Sequence, residues 1–148
     1  LQVKLRAFSD YELADVNRVA ARYTELLKEV PGIKTPVIPT GFYSSWAQYT
    51  LRLESEAQRD ALQTSLKAQG IPSMVYYPKP MHSQTAFMNE VKSSMFNVPH
   101  GQRSLAIVGT QECSMATMLS RTVLSLPMHP YLPDAEIQTV VDAIKASI

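Results

Sequence analysis

Tyr76, Tyr77 and His82 are carried by one short segment, Ser73-Met-Val-Tyr-Tyr-Pro-Lys-Pro-Met-His82. Phenolic hydroxyls donate and accept hydrogen bonds, and an imidazole does either or takes a proton near neutral pH. Met74, Val75 and the two tyrosines have strand composition, whereas Pro78 and Pro80 cannot donate to a sheet ladder and hold the following backbone extended. The three side chains are therefore expected at the end of a strand, on a stiff loop with little freedom left to lose when a ligand binds. Leu124-Ser-Leu-Pro-Met-His-Pro130 echoes the segment, again an apolar run stopped by proline and ending in Pro-Met-His. Composition alone leaves a second reading open. Successive strand side chains point to opposite faces, so one tyrosine could fill the core while the other covers it.

Other reactive residues form no comparable set. His82, His100 and His129 match no helical His pair and no compact Cys/His cluster, and no carboxylate stands at ligand spacing, so no metal site is expected. Cys113 is the single cysteine and closes no internal disulfide; on the apolar face of an expected helix it reads as a small core residue. No Gly-rich phosphate loop, Gly-x-Ser-x-Gly elbow or His-Glu-x-x-His motif occurs. Pro78-Lys-Pro80 is tied to a strand and lacks the longer exposed context of a polyproline ligand. The residues themselves therefore assemble no self-sufficient active site.

The frame for these groups is small. With 148 residues and 45% hydrophobic content, the chain can build one domain with its own core, spanning residues 1–148. Fourteen basic residues against thirteen acidic ones, scattered rather than striped, give no electrostatic case for nucleic acid or an anionic membrane. No apolar run reaches the roughly 20 residues of a membrane span. With one cysteine and no visible secretory signal, the expected compartment is the cytoplasm.

Leu1, Leu5 and Phe8 have helical spacing without a preceding cap, and Ser9-Asp-Tyr-Glu12 fits a capping box that would open a new helix. Val16, Val19, Ala20, Tyr23, Leu27 and Val30 follow at helical spacing up to Pro31-Gly32. Thr35 to Pro39 is expected as a short edge strand. Trp46 is expected to open a clearer strand in which Ala47, Tyr49, Leu51 and Leu53 face inward. Ser55-Glu-Ala-Gln58 caps a second helix with Ala57, Ala61, Leu62 and Leu66 as its stripe, ending before Gly70. A strand over Ser73 to Tyr77 comes next, then weak periodicity from Met81 to about Thr110. A helix over Glu112 to Arg121, a strand over Val123 to Leu126 and a final helix capped by Asp134 close the chain. The fold class implied is α/β in the α+β, two-layer sense: a three- to four-stranded sheet with helices packed on one face.

Several blocks carry a resemblance. Ser45-Trp-Ala-Gln-Tyr-Thr50, Gln69-Gly-Ile-Pro72, Val75-Tyr-Tyr-Pro-Lys-Pro-Met-His82, Gln84-Thr-Ala-Phe87 and Val123-Leu-Ser-Leu-Pro-Met-His-Pro130 resemble, in order, the C-terminal domain of DegT/DnrJ/EryC1/StrS sugar aminotransferases. The helix with Arg18-Val-Ala-Ala-Arg-Tyr23 resembles the same family, and among its members the chain is most similar to enzymes that aminate 3-keto sugars of nucleotide-linked uronic acids.

The resemblance implies the small domain of a fold-type I aminotransferase, an enzyme that uses pyridoxal phosphate (PLP) to move an amino group from glutamate to a nucleotide-linked keto sugar. It places Tyr76, Tyr77 and His82 at the nucleotide-sugar site, with Tyr76 where relatives often have histidine. PLP needs a Schiff-base lysine. In the family that lysine lies in a Ser-Phe-rich motif of the N-terminal large domain. This chain has no such motif: Lys4, Lys28, Lys34, Lys67, Lys79, Lys92 and Lys145 all fall in other contexts. The family's Asn-x-Arg segment before the first helix is also missing. The expectation is a substrate-side domain without its catalytic domain, holding no cofactor and inactive alone. The alternative is a free-standing binding or oligomerisation module that covers its exposed apolar surface by self-association, for example as a homodimer.

Overall fold

Tyr49, Leu51 and Leu53 are buried while Thr50 and Arg52 between them are half-exposed, and this alternation builds the central strand of the sheet. The computed structural model describes residues 1–85 and 113–148. The elements are α1 (Gln2–Ala7), a π-helical turn (Phe8–Glu12), α2 (Leu13–Leu27), β1 (Ile33–Lys34), β2 (Tyr49–Leu53), α3 (Glu56–Ala68), a 3-10 turn (Met81–Ser83), α4 (Ser114–Thr122), β3 (Val123–Leu126) and α5 (Asp134–Lys145). They fall into two units, residues 1–76 with 122–148 and residues 77–121.

The first unit holds the sheet, in the order β1-β2-β3 and antiparallel throughout. Tyr49 opposes Leu126 and Leu51 opposes Leu124, so one face of both strands is apolar. That face packs with Val19, Tyr23 and Leu27 of α2, Leu62 and Leu66 of α3, and Ile137, Val141 and Ile144 of α5, all fully buried. Helices on one face of a small sheet are the expected two-layer arrangement. In α3 the Ser55 hydroxyl accepts from the Gln58 amide at 3.2 Å, and Gln58 in turn accepts from the Glu54 amide at 3.0 Å. At the other end Gly70, with φ +73°, lets its own amide reach the Lys67 carbonyl and the Ile71 amide reach that of Leu66. This Schellman closure satisfies orphan carbonyls and folds Ile71 back onto the core.

Several boundaries differ from expectation. Ser9 opens no helix; its hydroxyl donates back to the Leu5 carbonyl at 2.9 Å, and the helix continues through the π turn. Pairing at the first edge is confined to Ile33 and Lys34 instead of Thr35 to Pro39. Trp46 stands in the left-handed region at φ 47°, so β2 starts only at Tyr49 and Ala47 is exposed. Within α3 it is Arg59, not Ala57 or Ala61, that is buried beside Leu62 and Leu66. Pro133 occupies the cap position of α5 and Asp134 is its first residue, accepting from Arg18 at 2.5 Å near the positive end of the helix. In the second unit α4 starts at Ser114, and Cys113 before it is exposed rather than in the core; Ala116 is exposed too.

The π turn carries Glu12 inward. Its carboxylate is almost fully buried, accepts from the Lys4 ammonium at 2.5 Å, and also accepts a short hydrogen bond from the Tyr131 hydroxyl. Lys4 first, then Tyr131, hold the Glu12 carboxyl below its ordinary value of 4.5, with burial opposing them. Folding therefore releases a proton from Glu12 in mildly acidic solution. The stabilisation is fully present above pH 4.5 and is lost as pH falls through the lowered folded value. Glu12→Gln is expected to destabilise the chain at neutral pH and to converge with the parent as acid is added, read from urea midpoints across pH.

Candidate functional site

The apolar segment and its echo lie side by side. The Met74 amide donates to the Ser125 carbonyl at 3.1 Å and the Ser125 amide donates to the Met74 carbonyl at 2.8 Å. This pair is the whole of the pairing; Ser73 to Tyr77 forms no strand, because Pro72 precedes the contact and Pro78 soon ends it. Beside it, where β2 begins and β3 ends, a cleft of about 220 Å³ opens within the first unit. Pro72 to Met74 and Tyr76 line one wall, Ser125 to Met128 another, and Ala47 with Gln48 a third.

Core packing fixes those walls. Tyr23 donates its hydroxyl to the Pro127 carbonyl at 3.1 Å and stacks on Tyr49 with ring centroids 5.1 Å apart. Tyr49 shares a 2.7 Å hydrogen bond with Thr24. Burial pushes the Tyr49 hydroxyl up to about 12 and that of Tyr23 higher still, so both stay neutral supports of the wall. Asn17 holds the third wall: it accepts from the Trp46 indole at 2.9 Å and donates to the Ser44 carbonyl at 3.0 Å. Trp46 thus packs on the core, and these contacts offset its unusual backbone.

Of the residues expected to bind substrate, Tyr76 lines the cleft at 43% exposure. Tyr77 and His82 belong to the second unit. Tyr77 is exposed, and His82 is half-buried in the 3-10 turn that follows Pro80. That loop is held locally, with the Ser83 hydroxyl donating to the Pro80 carbonyl and the Gln84 amide group to the Lys79 carbonyl, both at 3.0 Å. Neither tyrosine fills the core; Val75 between Met74 and Tyr76 is the side chain that packs against it. His129 is exposed after the second Pro-Met, and His100 lies outside the described residues. Gln48 and Ser73 escaped the sequence reading because each looks like an outward polar position. The repeated Pro-Met-His was the only signal that Pro127 and Met128 would matter.

Among the described residues no three His, Cys, Asp or Glu side chains gather as a metal site, and no helix is long and apolar enough to cross a membrane. The described lysines do not fit a Schiff-base role. Lys28, Lys34, Lys67, Lys79 and Lys145 are exposed, Lys4 is paired with Glu12, and none lines the cleft.

The profile of the DegT/DnrJ/EryC1/StrS aminotransferase family matches residues 1–145. The chain is 38% identical over 141 residues to the UDP-2-acetamido-2-deoxy-3-oxo-D-glucuronate aminotransferase of Pseudomonas aeruginosa, a match covering 95% of this chain and 33% of that protein. It is also 38% identical to a pleiotropic regulatory protein of Geobacillus stearothermophilus, over 84% of this chain and 29% of the relative. The crystal structure of a DegT DnrJ EryC1 StrS aminotransferase from Brucella abortus superposes with TM-score 0.72 at 36% identity, covering 99% of this chain and 33% of that one. The chain therefore spans about a third of the length of the relatives it matches. A family profile met along nearly all of these residues makes the chain a member of the DegT/DnrJ/EryC1/StrS aminotransferase family.

Proposed function

We propose that the chain serves as the C-terminal, substrate-side domain of a PLP-dependent aminotransferase acting on nucleotide-linked keto sugars, in cell-surface polysaccharide or antibiotic-sugar biosynthesis. The observation that carries this reading is a family match over residues 1–145 that uses only about a third of each relative. In this role Tyr76, Tyr77 and His82 contact the nucleotide sugar through hydroxyl, ring face and imidazole. The Schiff-base lysine and PLP, which supplies the electron sink for amino transfer, come from an N-terminal domain. That domain is the first partner, a second copy of the protein is another, and the compartment is the cytoplasm. Incubated with PLP, glutamate and a nucleotide-linked 3-keto sugar, the 148-residue chain is expected to show no turnover above background and no bound-cofactor absorbance. Exchanging it for the matching third of the Pseudomonas relative is expected to give a chimera that binds PLP and transaminates. Turnover by the chain alone, or a PLP-loaded chimera that is inactive, refutes the proposal.

One observation favours the alternative of a free-standing binding or oligomerisation module. Helix α1 buries none of its residues, and Leu1 and Val3 are 99% and 83% exposed. Such side chains call for a cover, which another copy would supply. A strict monomer on a sizing column at high concentration removes the self-associating version.

A further inference from the structure

Among the described residues the cleft is lined without a single charged side chain. Its apolar lining includes Met74, Pro127 and Met128, and its polar side chains include Gln48, Ser73 and Tyr76. Ser125 contributes little polarity, because its hydroxyl is engaged with Thr50 at 2.9 Å and its backbone with Met74. Among the described residues the Gln48 amide group and the Ser73 hydroxyl have no hydrogen-bond partner in the protein. A primary amide offers a donor and an acceptor side by side, whose complement is another amide or neighbouring hydroxyls. Phosphate recognition uses guanidinium, ammonium or clustered backbone amides instead. Here the backbone amides of Met74 and Ser125 are each spent on the other residue's carbonyl. A dianion placed against thioether and proline surface would lose its hydration without compensation. Size narrows the choice further. About 220 Å³ lies below the roughly 300–1,000 Å³ of sites that enclose drug-sized ligands, a size that suits one ring rather than a whole nucleotide sugar.

We propose that the cleft between Pro72–Tyr76 and Ser125–Met128 is a subsite for an uncharged, amide-bearing ring of the nucleotide-linked sugar, and that it excludes the diphosphate. This rests on the functional reading above and adds to it which part of the ligand this domain receives. An acetamido sugar and a pyrimidine base share the required chemistry. Gln48 is the specificity residue for that amide, with Met74 and Met128 forming the apolar contact.

The test is an NMR titration of the chain labelled at methionine methyl groups, glutamine side-chain amides, tyrosine and histidine. N-acetylglucosamine, uridine, inorganic pyrophosphate and UDP-N-acetylglucosamine are added separately. N-acetylglucosamine or uridine is expected to move Met74, Met128 and Gln48 with millimolar affinity while pyrophosphate leaves them in place, and the ring that saturates first identifies the source. Gln48→Leu, at an exposed position, is expected to weaken that binding about fivefold without disturbing the signals of the β2–β3 ladder. Ser73→Ala provides a second variant with the same expected direction. Pyrophosphate moving the cleft signals in preference to both neutral rings overturns the proposal, as does no response to either ring. If UDP-N-acetylglucosamine moves Tyr77 and His82 but not Met74 and Met128, the subsite falls while the functional reading stands. If the neutral rings move the cleft and the nucleotide sugar leaves Tyr77 and His82 unmoved, the subsite stands and their assigned role falls.

Discussion

Tyr49→Ala is expected to remove about 3–5 kcal/mol of stability, the range for deleting a large aromatic side chain from a core. Three losses coincide at this position. The ring is fully buried, it stacks on Tyr23 at 5.1 Å and lies 5.6 Å from Trp46, and its hydroxyl bonds to Thr24. Aromatic pairs add about 0.5–1.5 kcal/mol beyond the area they bury, so this site stands toward the upper end of the range. A domain of this size holds about 5–15 kcal/mol in total, and the variant should be largely unfolded in modest urea. Tyr49→Phe separates the contributions. It keeps the ring and stacking and gives up one hydrogen bond, for about 0.5–1.5 kcal/mol, because Thr24 retains its bond to the Ala20 carbonyl. The measurement is the shift in urea midpoint at constant slope. A loss below about 1 kcal/mol in the alanine variant would show that the core refills the space, against the close packing that makes such cavities costly. The site would feel the loss directly. Tyr49 opposes Leu126 in the ladder, Gln48 precedes it and Pro127 follows its partner, so both flanks of this pair are cleft walls.

The same pair shows how far the sequence could be read. Tyr49, Leu51 and Leu53 alternate with polar residues, and Val19, Tyr23 and Leu27 recur at helical spacing, because burial against one layer enforces those periods. The Ser55 cap and the turn at Gly70 were legible for the same local reason, since each satisfies backbone groups within a few residues. What stayed hidden depends on partners distant in the chain. Glu12 looks like the last member of a capping box until Tyr131 reaches it across the fold. Arg59 takes the place expected of Ala57 and Ala61 in the buried stripe, with Glu56 and Asp60 as ion partners. The strand expected over Ser73 to Tyr77 was read from β-branched and aromatic composition, but a strand needs a neighbour, and only Met74 has one. For the site, the pair of Pro-Met-His runs was visible and their adjacency was not. Gln48 lies within one of the family-like blocks and Ser73 opens the first segment, yet neither position carries a signal of binding in the sequence; they become cleft residues only through the pairing of β2, β3 and Met74.

Met74→Pro is expected to detach that pairing while leaving the sheet behind it intact. A residue in an antiparallel ladder points its N–H and C=O to the same side. Ser125 directs both toward Met74, so its pairing with Thr50 on the other side is of the non-hydrogen-bonded kind, with the side chains closer together. This accounts for the 2.9 Å bond between the Thr50 and Ser125 hydroxyls. Proline removes the donor of the 3.1 Å bond and leaves the carbonyl of Ser125, a residue only 4% exposed, without its Met74 partner. An unsatisfied buried backbone group costs about 1–3 kcal/mol, which corresponds to roughly five- to 150-fold faster exchange if the wall opens locally. The Ser125 amide, which donates to the Met74 carbonyl, should therefore exchange faster in the variant, whereas the β2–β3 amides should keep their protection. Met74→Ala retains both backbone bonds and should leave Ser125 protected. Both substitutions remove the thioether from the cleft, but only the proline frees the wall that carries Tyr76. Neutral-ring binding should accordingly fall further in Met74→Pro than in Met74→Ala. Equal protection of Ser125 in the two variants would mean that the wall is held by Val75 in the core and the Gln63 contact to the Ser73 carbonyl rather than by the bridge.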